Sequence, residues 1–308
     1  MLGGGYPAYR DAEVTVYDAL TYAGNLANLD EVAKHPGYSF VRGDIRDSSL
    51  LGDVLPGHDA VVNFAAESHV DRSIAGAADF VTTNVDGVQT LLDGCLRARV
   101  GRVLQVSTDE VYGSIATGAF RETDRLDPSS PYSAAKAGGD LIARAYVVTH
   151  GFDVVITRCT NNYGPYQHPE KVIPLFVTNL LDGETVPLYG DGLNVRDWLH
   201  VDDHCQALAM VLERGRAGEI YNIAGGVELT NRDLTTRLLD GCDRDWSSVT
   251  PVTDRLGHDR RYALDDSKLR SELGYAPAID LDDGLAATIQ WYRDHEAWWR
   301  PLKSPAAS

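Results

Sequence analysis

The sequence predicts an α/β fold, a doubly wound parallel sheet with a smaller lobe toward the C-terminus. Three observations carry this expectation. Short β-branched runs alternate with longer segments of helical period through the first half of the chain, a pattern that sets parallel strands side by side with helices on both faces. From about Asn161 the alternation gives way to loops, Gly-rich turns and shorter helices. The 308 residues are enough for one large α/β domain or for a domain carrying a lobe.

The strand candidates, in chain order, are 13–18, 38–41, 60–66, 102–108, 154–157 and 219–223, each a short run rich in Val, Ile, Tyr or Phe. Between them, 79–99 reads as one long helix and 133–149 as another, rich in Ala and starting just after Pro131. A last amphipathic helix, about 281–299, carries Trp291, Tyr292, Trp298 and Trp299, which are expected to pack on the body of the protein. The division that follows is a Rossmann-like domain over 1–165, to which 200–225 returns, and a lobe made of 166–199 and 226–308.

Composition narrows the function. A formal charge of −17 argues against binding a phosphate backbone, which needs basic surface, so an anionic ligand must be held locally by a few basic residues or by helix N-termini. The chain has no apolar run of 18 residues, and Met1-Leu-Gly-Gly-Gly-Tyr-Pro lacks the blocks of a signal peptide; a cytoplasmic protein is expected. Cys95, Cys159, Cys205 and Cys242 lie far apart with no C-x-x-C pair, so reduced, buried thiols are expected and no metal site.

The chemistry concentrates in two stretches. Leu104-Gln-Val-Ser-Thr-Asp-Glu-Val-Tyr-Gly113 runs an apolar strand into two adjacent acids, and in open α/β sheets ligands sit outside the carboxyl ends of strands. Tyr132-Ser-Ala-Ala-Lys136 puts a phenol and an ammonium four residues apart at the opening of a helix, hence on one face. A free tyrosine titrates near pH ~10, and a neighbouring ammonium favours the phenolate and brings it closer to use as a base.

With these stretches the chain resembles the extended short-chain dehydrogenase/reductase family, and within it the nucleoside-diphosphate-sugar 4,6-dehydratases. The likeness runs from about Glu13 to Leu302. It rests further on Asp18-Ala-Leu-Thr-Tyr-Ala-Gly-Asn25, Gly43-Asp-Ile-Arg-Asp47, Phe64-Ala-Ala-Glu-Ser-His-Val-Asp-Arg-Ser73, Arg158-Cys-Thr-Asn-Asn-Tyr-Gly-Pro-Tyr-Gln-His-Pro-Glu-Lys171 and Asn194-Val-Arg-Asp-Trp198. The resemblance implies an NAD cofactor, dTDP-glucose as substrate and a homodimer built through 79–99 and 133–149. It also implies roles. Tyr132 takes the C4 hydroxyl proton as hydride leaves C4, with Lys136 lowering the Tyr pKa and Thr108 bonding at C4. Glu110 then acts as base at C5 and Asp109 as acid for the departing C6 hydroxyl, since removing water across C5 and C6 of a 4-ketosugar needs both. Other sugar-nucleotide enzymes, such as a 4-epimerase or a UDP- or GDP-sugar dehydratase, and a catalytically silent binding protein are the alternatives.

For the cofactor the resemblance points to Asp18, Leu20 and Thr21 at the adenosine ribose, where an acid favours NAD over NADP. Asp44 and Ile45 flank the adenine, Phe64, Ala65 and Ala66 line the dinucleotide, and Thr83 and Asn162 lie near it, with Tyr132 and Lys136 at the reacting end. For the sugar nucleotide the matching positions are Ser68, Thr108, Asn161, Lys171 and Val172, then Pro187, Leu188, Tyr189 and Arg196. Asn231 and the run Asp254, Arg255, Leu256, Gly257 and His258 complete it. Arg196 and Arg255 are expected on the diphosphate, which suits a guanidinium fork. Family members open with a strand and a G-x-x-G-x-x-G turn that brings N–H groups to the pyrophosphate. Here the first strand candidate matches their second, so a truncated start and weakened cofactor binding are expected.

Overall fold

The computed structural model describes residues 11–303, so Met1-Leu-Gly-Gly-Gly5 lies outside the described residues. β1 (Val14–Asp18) and β2 (Tyr38–Arg42) pair in parallel, with Val14 opposite Tyr38 and Asp18 opposite Arg42. α1 (Ser48–Val54) begins at Asp47, whose carboxylate accepts from the N–H groups of Ser49 and Leu50, an ordinary N-cap. β3 (Ala60–Asn63) leads through α2 (Val70–Ala75), α3 (Ala78–Val81), a π-helical turn (Thr82–Gly87) and α4 (Val88–Ala98) to β4 (Arg102–Thr108). α5 (Pro131–His150) is followed by β5 (Val154–Cys159), β6 (Asn161–Tyr163) and α6 (Val172–Leu181). β7 (Val186–Tyr189), β8 (Val195–His200), α7 (Val201–Arg214) and β9 (Ile220–Ile223) come next. β10 (Glu228–Thr230), α8 (Asn231–Gly241), β11 (Val249–Val252), α9 (Ser267–Leu273), α10 (Leu281–Asp294) and α11 (Glu296–Trp299) complete the order.

β3, β4, β5 and β9 form one sheet in that spatial order, every pairing parallel. The two-residue period of a strand makes it doubly wound. Val103, Val154 and Ile156 face a core shared with α1, α4 and α5, whereas their neighbours Leu104 and Val155 face a core shared with α7 and α9. α9 thus lies against the sheet, although the sequence groups 226–308 with the lobe, because Leu269 and Leu273, one turn apart, put an apolar stripe on it. The lobe has its own core, in which Ile173, Phe176, Leu234, Leu285 and Trp299 meet. β6 and β10 flank β8 in a small sheet, and β7 pairs with β11.

The structure corrects several sequence expectations. The segment 79–99 is not one helix: the π turn interrupts it where α5 comes close. A side chain at Gly139 would stand 2.5 Å from the Asn84 carbonyl oxygen, so two backbones pack there as only glycine permits. The strand expected over 60–66 ends at Asn63, whose side chain caps the Ala65 N–H and turns the chain out of the ladder. The last helix breaks at His295. The lobe, read as loops and shorter helices, contains four strands of its own, each of three to six residues and too short for a clear period. Cys205 is exposed, unlike the other three cysteines.

Candidate active site

A cavity of about 540 Å³ opens beyond the carboxyl ends of β4 and β5 and is closed on its far side by the lobe. β4 delivers the acid pair. Its last residue, Thr108, accepts from the Glu110 N–H at 3.3 Å and so caps a single 3-10 turn, Asp109–Tyr112, which carries both acids into the cavity wall. The turn stops at Gly113, where φ is 80° and a side chain would strike the Asp127 carbonyl oxygen. Asp109 is 3% exposed; one carboxyl oxygen accepts from the Thr108 hydroxyl at 3.1 Å and the other, buried, has no partner within the protein.

That environment favours the protonated form of Asp109. Burial first, then the neighbouring Glu110, push its pKa up to about 8, against opposition from Arg196. Glu110 is also raised by burial, but Arg196, Lys171 and Arg255 all oppose the rise. The two adjacent carboxyls thus stand in unequal environments, Asp109 enclosed beside a like charge and Glu110 surrounded by cations. The pH sign follows. A reaction that needs Asp109 protonated loses rate as pH rises through about 8, and a pH–rate profile should show that alkaline limb, absent from a step that does not use the Asp109 proton, such as nucleotide binding.

α5 supplies the second pair. Ser130 and Ser133 form a reciprocal capping box, and Pro131 opens the helix, so Tyr132 stands in the first turn with its phenol in the cavity. Lys136, one turn on, donates to the Val106 carbonyl at 2.7 Å. Burial and then the Glu110 charge raise the Tyr132 pKa well above its ordinary value, while a hydrogen bond with Thr108 opposes them. The Lys136 ammonium spends one of its three N–H groups on β4 and stands one helical turn from the Tyr132 phenol.

Sixteen of the residues named from the sequence line this one cavity: Ser68, Thr108, Asp109, Glu110, Tyr132, Asn161, Asn162, Lys171, Val172, Pro187, Tyr189, Arg196, Asn231, Arg255, Gly257 and His258. Lys171 reaches across to the Ser68 carbonyl at 3.0 Å. Arg255 pairs with Asp71 at 3.2 Å and lies over the Tyr189 ring, leaving a guanidinium at the wall. Arg196 donates to the carbonyls of Val195 and Asp259 at 2.7 and 3.0 Å. Three of the positions named for the sugar nucleotide stand outside the wall. Leu188 is buried behind β7, as the pleat requires when Pro187 and Tyr189 face the cavity. Leu256 is 76% exposed. Asp254 instead supports His258, at 2.6 Å.

Of the residues named for the cofactor, Asp18, Leu20, Thr21, Asp44, Ile45, Phe64, Ala65 and Ala66 lie at the carboxyl ends of β1, β2 and β3, Thr83 in the π turn, Tyr132 and Lys136 on α5 and Asn162 on β6. Asp18 accepts from the Leu20 N–H at 2.6 Å, with Leu20 in a left-handed conformation. Asp44 is paired with Arg46, which also donates to Thr82 beside the half-buried Thr83, and Ile45 is buried against Gly87. Phe64 is 60% exposed and followed by Ala65 and Ala66. Buried side-chain oxygens of Ser107, Thr160 and Asn162 have no partner within the protein. An exposed aromatic face, carboxylates at strand ends and unpartnered polar atoms suit a dinucleotide, which is part apolar ring and part polyol.

Sequence reasoning missed Glu170, Asp71, Asp259 and Tyr262. Glu170 accepts from the Tyr22 phenol at 3.0 Å and lies 3.8 Å from both His69 and Arg72. Glu170 and Asp71 stood inside matched motifs, so their signal was present; Asp259 and Tyr262 follow directly on His258 but carried no pattern of their own.

Residues 7–288 match a family model described as GDP-mannose 4,6 dehydratase. The dTDP-glucose 4,6-dehydratase of Streptomyces niveus is 57% identical over 304 residues, covering 99% of this chain and 90% of that protein. The crystal structure of DesIV, a dTDP-glucose 4,6-dehydratase from Streptomyces venezuelae solved with NAD bound, superimposes with a TM-score of 0.97 at 63% identity, covering 98% of this chain and 94% of that one. A UDP-glucuronic acid 4-epimerase from Bacillus cereus superimposes with a TM-score of 0.89 at 25% identity, over 95% of each chain.

Proposed function

The chain belongs to the sugar-nucleotide 4,6-dehydratases of the extended short-chain dehydrogenase/reductase family, and from that premise we propose how its own residues divide the reaction. The activity is that of a hydro-lyase: dTDP-glucose is converted to dTDP-4-keto-6-deoxyglucose, a deoxysugar nucleotide, with NAD as cofactor. The observation that carries the division is the placement of Asp109, Glu110 and Tyr132 in one cavity wall, with opposite demands on their protons.

Asp18, Leu20 and Thr21 would hold the adenosine ribose, Asp44 and Ile45 the adenine, and Phe64, Ala65, Ala66, Thr83 and Asn162 the rest of the dinucleotide, with Lys136 beside its reacting end. Held there, NAD+ would supply the redox chemistry, as acceptor of hydride from C4 and its later donor at C6. Tyr132 accepts the C4 hydroxyl proton, and Thr108, bonded to both Tyr132 and Asp109, sits where it can hold the C4 oxygen. The resulting ketone acidifies C5–H. Glu110 removes that proton, Asp109 gives its own to the C6 hydroxyl, which leaves as water, and C5 is reprotonated as C6 receives the hydride. Lys171, Arg196 and Arg255 offset the charge of the diphosphate and of Glu110 together.

The domain division runs through the same cavity, the sheet presenting acids and phenol and the lobe presenting Arg196, Asn231 and Arg255. A second copy is proposed to dock on α5, where Leu141 and Val148, seven residues apart on one face, are 59% and 75% exposed. A cytoplasmic setting suits four free thiols. Among the described residues no helix is long and apolar enough to cross a membrane. Mass spectrometry of dTDP-glucose incubated with the protein and NAD+ tests the reading. Loss of one water is expected; a product of unchanged mass would indicate an epimerase and overturn it.

A further inference from the structure

The segment that closes the cavity opposite the acid pair is held by an aspartate with no role in the reaction as described. Asp259 is buried, and both its carboxyl oxygens are taken: one accepts from the Tyr262 phenol at 2.6 Å, the other from the Ser129 hydroxyl at 2.7 Å. Its backbone carbonyl accepts from Arg196 at 3.0 Å and from the Asn194 amide at 3.1 Å. The Arg196 guanidinium lies over the Tyr262 ring, 4.2 Å from its centroid. Gly257 fixes the same segment from below, since a side chain there would meet the Ser129 carbonyl oxygen at 2.7 Å. One residue thus orients a phenol and a guanidinium, and both line the cavity with Glu110.

A phenol has one proton to donate. Spent on Asp259, it is not available to the Glu110 carboxylate, which is near enough to raise the Tyr262 pKa. A base that accepts a strong hydrogen bond is a weaker base. We propose that Asp259 is a positioning residue for the dehydration: it engages the sole proton of Tyr262, so that Glu110 receives no donor from that side and remains free to take the C5 proton. This rests on the reading of Glu110 as the base. The other groups facing Glu110 are Asp109 on its own turn, Tyr132 from α5, Lys171 ahead of α6, Arg196 from β8, and Arg255 with Asp259 from the closing segment.

The test is the pH dependence of kcat for dTDP-glucose dehydration by the NAD-loaded protein. In Asp259→Ala no acceptor is left and the freed phenol turns to Glu110, so the acidic limb should move to lower pH by roughly one unit and the plateau should fall roughly tenfold. Adding Tyr262→Phe to Asp259→Ala removes the freed donor and should bring the limb most of the way back. Tyr262→Phe alone should leave the limb in place, a test that holds even where Asp259→Ala folds poorly. An unmoved limb in Asp259→Ala, a double variant that stays with the single one, or an upward-moved limb in Tyr262→Phe overturns the proposal. Failure of the wild-type protein to dehydrate overturns instead the assignment of the base, so the two failures are distinct.

Discussion

Asp109→Asn should stop dehydration while C4 oxidation survives. The amide matches the carboxyl in shape and can still accept from Thr108, but it has no acidic proton for the departing C6 hydroxyl. Loss of a general acid slows its step by roughly 10²–10⁴-fold. On the proposed division the oxidation uses a different group, Tyr132, so rapid quenching followed by mass spectrometry should show a nucleotide lighter by two hydrogens, the 4-keto sugar, where the parent shows loss of water. The two roles separate because Asp109 is enclosed and paired on one oxygen only, whereas Glu110 is surrounded by Arg196, Lys171 and Arg255. Parental dehydration by the variant would remove Asp109 from the mechanism.

Asp140→Ala should be among the most destabilising single changes in the protein. Asp140 on α5 accepts from Arg158 on β5 at 2.9 Å, with both side chains within 4% of full burial. Arg158 also donates to the Tyr112 phenol at 2.8 Å, and Tyr112 donates to Asn222 on β9 at 2.9 Å. Removing the carboxylate leaves a buried guanidinium uncompensated, at a cost of about 3–5 kcal/mol. Urea denaturation should show a lower midpoint with an unchanged slope. The same network joins the helix bearing Tyr132 to the turn bearing Asp109 and Glu110, through Tyr112 at the end of that turn. Stability and catalytic geometry are therefore linked there, and residual activity should fall with stability. A midpoint within experimental error of the parent would show that the pair contributes little.

Much of this was legible in the sequence because the sheet is regular. β4 and β5 are seven and six residues of mostly β-branched or apolar side chains, long enough to declare themselves, and the acid pair sits at the end of one of them. The lobe was less legible for a physical reason. β7, β10 and β11 are three or four residues long and find their partners across the lobe, so nothing local marks them. The cavity residues came mainly from matched motifs, and those that escaped show what motifs omit. Asp259 touches Tyr262 and Ser129 through a carboxylate whose importance lies in what it accepts, which no spacing reveals. Lys136 was placed correctly on the helix face of Tyr132, yet its ammonium is turned to the Val106 carbonyl, a contact with a neighbouring strand that the helix sequence does not contain.

The central claim is that oxidation at C4 and removal of water across C5 and C6 occur in one cavity, with Tyr132 serving the first and Glu110 and Asp109 the second. The most direct measurement is the position of deuterium in the product formed from dTDP-glucose in D2O, read by NMR after a single turnover. Protons that pass through carboxyl groups exchange with solvent, whereas the hydrogen leaving C4 as hydride does not. The account predicts deuterium at C5 and a methyl group at C6 free of it. Deuterium in the methyl group, or recovery of dTDP-glucose with its hydroxyl groups intact, would contradict it.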